Sequence, residues 1–197
     1  MQIARLMFLA GSAIFLAACS TGPSRVSDDP AAKLALATDL FQSKEQPVAA
    51  ERLIREAMRA YEAKGDQVGV ADAYGTYGTF FRSHGVAVAE SKYRKDGFLD
   101  PTADFDRRYA KALEYHLKAR DIYASRKRYD RLAGIYVAIA ADNSIVGRRQ
   151  AACTALDQSM ESYRQSQQEP KSEVSVPAGF KTFDEYWLSL KKDARCM

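Results

Sequence analysis

Cysteine is scarce in this chain: three residues in 197, too few for a disulfide-dense scaffold. Histidine is scarcer. The two, His84 and His116, lie far from Cys153 and Cys196 in sequence. No zinc-ligand spacing can be assembled from such a set, so no metal and no cofactor is expected. Eleven glycines exclude collagen, and an apolar fraction of 47% excludes a disordered chain. A net charge of +4 is too mild to argue for nucleic acid or another polyanion. Zinc-protease motifs, phosphate loops, Gly-x-Ser-x-Gly elbows and Cys–His pairings are also missing, so no enzyme is expected. Glu51, Glu56 and Asp66 are too scattered to form a catalytic carboxylate pair.

One apolar run stands out, Leu6 to Ala18, broken only by Gly11 and Ser12. As a helix it rises about 20 Å, short of the roughly 30 Å hydrocarbon core of a bilayer. Arg5 precedes it and small residues end it, the pattern of a secretory signal. Its last residues, Leu16-Ala17-Ala18-Cys19, resemble the lipobox of bacterial lipoproteins. The resemblance implies removal of residues 1–18, a diacylglycerol on the Cys19 sulfur and an acyl chain on its new amine. Several acyl chains anchor durably, because each buried CH2 contributes about 0.8 kcal/mol. Ser20 stands where an Asp would signal inner-membrane retention. The resemblance therefore implies an outer-membrane anchor with the body facing the periplasm. Loss of Arg5 lowers the net charge from +4 to +3. Residues 19–30 read as a polar tether.

Cys153 and Cys196 remain after lipidation of Cys19. In an oxidising compartment they most simply pair, closing a loop of about forty residues and stabilising by roughly 2–4 kcal/mol. Two free thiols are the alternative.

The body reads as helix throughout, with apolar residues at helical spacing and no sustained alternation. It also repeats. Ala50-x3-Ile54-x2-Ala57-x3-Tyr61 recurs as Ala112-x3-His116-x2-Ala119-x3-Tyr123, and more weakly as Ala152-x3-Leu156-x2-Ser159-x3-Tyr163. The preceding segments share Leu34-x2-Ala37-Thr38-x2-Phe41, Tyr74-x2-Tyr77-Gly78-x2-Phe81 and Tyr136-x2-Ile139-Ala140-x2-Asn143. These patterns resemble the tetratricopeptide repeat, in which small residues let backbones approach and large ones fill the gaps. The resemblance covers about residues 31–168. It implies an all-α fold of three helical hairpins stacked as a short right-handed superhelix. Thr38, Asn143 and Ser159 depart from the family pattern.

The registers locate an insertion. First-helix positions Thr38 and Gly78 are 40 residues apart, whereas Gly78 and Ala140 are 62 apart. The extra residues fall at about 85–108, a segment with interleaved basic and aromatic side chains that include Tyr93 and Phe98. Such a segment serves equally as a recognition loop or as a loop lying back on its own protein. Residues 169–197 read as a linker and then a capping helix. Thr182 and Glu185 form its capping box, and Phe183, Tyr186, Trp187 and Leu190 its apolar face.

The functional expectation follows from the repeat resemblance. It is a lipid-anchored periplasmic adaptor that holds a segment of a periplasmic or outer-membrane protein and assists assembly of an envelope complex. Tyr74, Tyr77, Phe81 and His116 are the groove candidates, with Tyr93 and Phe98 in the insertion. The alternative is an immunity or inhibitor lipoprotein that blocks one toxin or enzyme through a rigid patch in the insertion. Arg107-Arg108, Arg126-Lys127-Arg128 and Arg148-Arg149 are either solvated helix ends or one converging basic rim.

Overall fold

The computed structural model describes residues 27–169 and 174–196. The signal-like run, the Cys19 lipidation site and most of the tether lie outside these residues. Among the described residues the fold is all-α, with nine helices and no strand. The first hairpin joins α1 (Pro30–Gln42) to α2 (Pro47–Ala63). The second joins α3 (Gln67–Phe81) to α6 (Arg108–Ser125), with two short helices between them, α4 (His84–Val88) and α5 (Glu90–Asp96). The third joins α7 (Tyr129–Ile145) to α8 (Arg149–Ser166), and α9 (Phe183–Asp193) follows. The partners pack as α1 on α2, α3 on α6 and α7 on α8, and the hairpins meet through α2–α3 and α6–α7.

Local chemistry sets the helix ends. Asp29 accepts from the amides of Ala31 and Ala32, and Pro30 opens α1 with its φ already helical. Asp66 accepts from the Gly69 amide at 2.9 Å and starts α3. Four helices end alike. The amides of Asp66, Arg128, Arg148 and Cys196 reach back to the carbonyls of Tyr61, Tyr123, Asn143 and Lys191. The residue before each amide is left-handed: Gly65, Lys127, Gly147 and Arg195, with φ of 67°, 53°, 75° and 54°.

Small residues set the packing distance. Ala50, Ala57, Ala112, Ala119 and Ala152 are wholly buried. A Cβ on Gly78 would lie 2.5 Å from the His116 ring and 2.9 Å from the Ala112 carbonyl oxygen. Only glycine lets α3 and α6 approach so closely.

The insertion folds back into the core. Tyr93 stacks on Phe98 with centroids 4.2 Å apart, and both join Phe80 and Phe81. Two buried carboxylates fasten it. Glu51 accepts from the Tyr77 hydroxyl at 2.6 Å and the Leu99 amide at 2.8 Å. Asp100 accepts from the Tyr115 hydroxyl at 2.9 Å and from both the amide and the hydroxyl of Thr102.

At the other end α9 covers the third hairpin. Phe183 stacks on Tyr163 at 4.4 Å, and the Trp187 indole donates to the Leu156 carbonyl at 2.7 Å. Thr182 accepts from the Glu185 amide, and the Glu185 carboxylate accepts from the Lys181 amide. Cys153 and Cys196 form a disulfide, with their Cα atoms 5.5 Å apart.

Candidate functional site: a cleft across the first helices

The first helix of each hairpin contributes one face to a shared cleft of about 670 Å³. Residues 31, 34, 35 and 38 of α1, 72, 75, 76 and 79 of α3, and 131, 134, 135 and 138 of α7 line it. Each set follows the i, i+3, i+4, i+7 spacing of a single helical face. Most of the floor is small: Ala31, Ala35, Thr38, Gly75, Thr76, Thr79, Gly134 and Ala138. Val174, Ser175 and Pro177 on the segment leading into α9, with Phe183 and Tyr186 of α9, close the far wall.

Polar groups in the cleft are paired, mostly within a hairpin. Asp72 accepts from the Tyr123 hydroxyl at 2.6 Å, with Arg131 Nε at 3.8 Å. Burial, with the Asp72 charge and hydrogen bond, pushes the Tyr123 phenol far above its usual range, so it stays a donor. The hydrogen bond from Arg128 holds Asp130 below the usual carboxylate range. Beneath the floor, His116 Nδ1 lies 2.5 Å from Asp142 Oδ2. Its Nε2 lies 3.1 Å from the Gly75 carbonyl oxygen and 3.3 Å from Thr79 Oγ1. Arg82 donates to the other oxygen of Asp142 at 3.3 Å and to the Ala138 carbonyl at 3.2 Å.

Thr79, His116 and Asp142 thus stand in the order of a nucleophile, base and orienting acid. The His116 ring lies between two acceptors, with Nδ1 facing the Asp142 carboxylate and Nε2 facing the Gly75 carbonyl, and the trio is closed off from solvent at His116 and Asp142. The trio therefore reads as a clamp: His116 on α6 and Asp142 on α7 bind the second hairpin to the third, and Gly75 and Arg82 tie in α3.

Most of the expected binding residues are elsewhere than in the cleft. Tyr77, Phe81, Tyr93 and Phe98 are buried in the aromatic core and present no surface to a partner. His116 is also buried, at 0% exposure, and reaches the cleft only as part of its floor. Tyr74 is partly exposed but turns toward Tyr115, with centroids 5.6 Å apart. The reason is rotational: Tyr74, Tyr77 and Phe81 sit on the side of α3 that packs against its neighbours, nearly half a turn from residues 72, 75, 76 and 79. The signal that marks the cleft is smallness on the first helices, at Gly75, Thr76, Thr79, Gly134 and Ala138.

The basic segments do not converge on one rim. Arg107-Arg108 and Arg148-Arg149 stand at the starts of α6 and α8, whereas Arg126-Lys127-Arg128 lie at the opposite end of those helices. Arg108 is spent on the rings of Phe105 and Tyr109, at 4.1 and 4.3 Å. Among the described residues there is no cluster of three metal-ligating side chains, and no helix long and apolar enough to cross a membrane.

Comparison with known proteins returns no matching family model, no matching curated protein and no matching solved structure. The functional reading rests on the chain's own geometry and on the residue patterns it carries.

Proposed function

We propose that this protein is an adaptor of the tetratricopeptide-like kind, anchored in the outer membrane through lipid on Cys19, with the cleft as its binding surface. The occupant is an extended segment of a periplasmic or outer-membrane protein, held during assembly of an envelope complex. The observation that carries this reading is the cleft itself. Three successive first helices leave matching faces of small residues uncovered, forming a trough instead of packed core. A trough with a small-residue floor admits a backbone closely, while Asp72, Asp130 and Arg131 offer polar contacts along one edge. The lipobox Leu16-Ala17-Ala18-Cys19 supports the anchor, and the hairpin spacing supports the repeat assignment. An inhibitor built on the insertion is less well supported, because Tyr93 and Phe98 are buried.

Site-specific photocrosslinking in native envelopes tests this. A photoreactive residue at Thr76 or Ala138, in the cleft, is expected to capture a protein that the same residue at Arg59 or Glu161 does not. Capture from the outer positions alone would overturn the assignment of the cleft. Capture of one toxin-like protein would replace the adaptor with an inhibitor. For the anchor, Cys19→Ser is expected to move the protein out of the membrane fraction. A variant that stays with the membrane contradicts lipidation at Cys19.

A further inference from the structure

A second recess of about 420 Å³ lies away from the cleft floor, where the end of α7 meets the start of α8 and the end of α9. Its polar character is one-sided. Arg82, Arg149 and Arg195 line it against a single carboxylate, Asp193. Arg82 donates within the chain only through Nη1, and Nε and Nη2 have no hydrogen-bond partner among the described residues. Its partner Asp142 is shared with His116, so the carboxylate is not committed to Arg82 alone. Arg195 is held in place by its neighbour: the Cys153–Cys196 bridge ties the end of α9 to the first turn of α8, and Arg149 donates to the Arg195 carbonyl.

The floor is the opposite in character. Val137, Ala140, Leu156 and Leu190 form it, and apart from the charged groups only Ser144 and Tyr186 bring polar side chains. A peptide backbone laid there would leave most of its amides and carbonyls unpaired. An alkyl chain has none to pair. The volume falls in the range of small-ligand pockets, about 300–1,000 Å³.

We propose that this recess binds a carboxylate carried on an unbranched alkyl chain, with the carboxylate between the guanidinium groups of Arg82, Arg149 and Arg195 and the chain on Val137, Leu156 and Leu190. Planar guanidinium forks match a carboxylate's two oxygens, and the apolar floor removes the chain from water. The recess shares Val137 and Tyr186 with the cleft proposed to hold a protein segment, but Arg82, Arg149 and Arg195 lie outside that cleft, and the proposal has its own test.

Trp187 is the chain's only tryptophan and packs in the cluster that includes Ala140, Leu156 and Leu190. Trp187 is not in the recess lining, but its neighbours Leu156 and Leu190 are, so its fluorescence reports on occupancy through them. The experiment titrates octanoate into residues 19–197 carrying Cys19→Ser, a chain that keeps every described residue and bears no acyl group of its own. A saturable change in Trp187 emission is expected, with octanol and acetate each at least tenfold weaker. Arg82→Gln and Arg195→Gln are each expected to weaken octanoate at least threefold. Arg195 is exposed, and its guanidinium has no partner among the described residues, so Arg195→Gln keeps the fold even if Arg82→Gln does not. No saturable change, equal binding of octanol, or wild-type affinity in a folded Arg195→Gln chain would each overturn the proposal. So would tighter binding of a peptide ending in leucine.

Discussion

The Nδ1 of His116 lies 2.5 Å from Oδ2 of Asp142, and the two side chains are 0% and 1% exposed. They belong to different hairpins, so this contact joins the second to the third through a buried polar pair. Removing one member of such a pair strands the other, which costs about 3–5 kcal/mol. Asp142→Ala is expected to lose stability on that scale in urea unfolding. A loss under about 1 kcal/mol would mean the pair does not hold the junction.

Two glycines on first helices are expected to respond oppositely to alanine. A Cβ on Gly134 meets nothing within 4 Å, and this mid-helix position faces the cleft. Gly134→Ala should gain about 0.5–1 kcal/mol. At Gly78 the same methyl group would lie 2.5 Å from the His116 ring. Gly78→Ala should lose roughly 1–3 kcal/mol, since α6 must move or the clamp must open. Thermal melts of the two variants check both signs, and a shared sign contradicts the packing described here.

That contrast also shows how far the sequence reaches. The hairpin registers were legible in it, because spacing along a helix survives projection onto one dimension. Ala50, Ala112 and Ala152 identify second helices, and the long gap from Gly78 to Ala112 locates the insertion. Rotation about each helix axis was harder to read. Tyr77 and Phe81 share α3 with Thr76 and Thr79, and nothing in their order tells which face meets α2 and α6 and which stays open. Burial of Tyr93 and Phe98 depends on Glu51, which comes 48 residues before Leu99 and accepts its amide. Such a contact has no local signature.

The fastening carboxylates make stability depend on pH in opposite senses. Burial pushes the Glu51 carboxyl above its usual range, only partly offset by the Tyr77 hydroxyl and the Leu99 amide. The folded chain then holds that proton more tightly than the unfolded one. The contribution is full below the unfolded pKa of about 4.3 and is lost as pH rises through the raised value. Glu51→Gln should flatten that fall in urea melts taken from about pH 4 to pH 8. Parallel curves for the variant and the wild type would contradict it.

At Asp100 burial again favours the neutral acid, but the bonds from Thr102 and Tyr115 and the charge of Lys111 outweigh it, and the carboxyl sits below its usual range. Its contribution is present above the unfolded pKa of about 3.9 and is lost as pH falls through the lowered value. Asp100→Asn should reduce the acid-side loss of stability. An unchanged acid limb would place the stabilising groups elsewhere.

Reduction of the Cys153–Cys196 bridge, which closes 43 residues, should cost about 2–4 kcal/mol and loosen α9 first. Trp187 emission followed against urea, with and without reductant, reads this directly. The reduced protein should show Trp187 leaving the Leu156 carbonyl before the helical signal is lost. Coincident transitions at an unchanged midpoint would show that the bridge contributes nothing to holding the cap.

The cleft as the binding surface is tested most directly by filling it. Gly134 lines the cleft and a Cβ there meets nothing within 4 Å, so Gly134→Trp roots its side chain without a clash and fills the trough. The measurement is photocrosslinked capture from Thr76 in native envelopes, with and without Gly134→Trp, alongside a thermal melt of each purified chain. The account predicts a variant that melts like the wild type and loses at least tenfold of its capture. A variant equally well folded that captures its partner undiminished would contradict it.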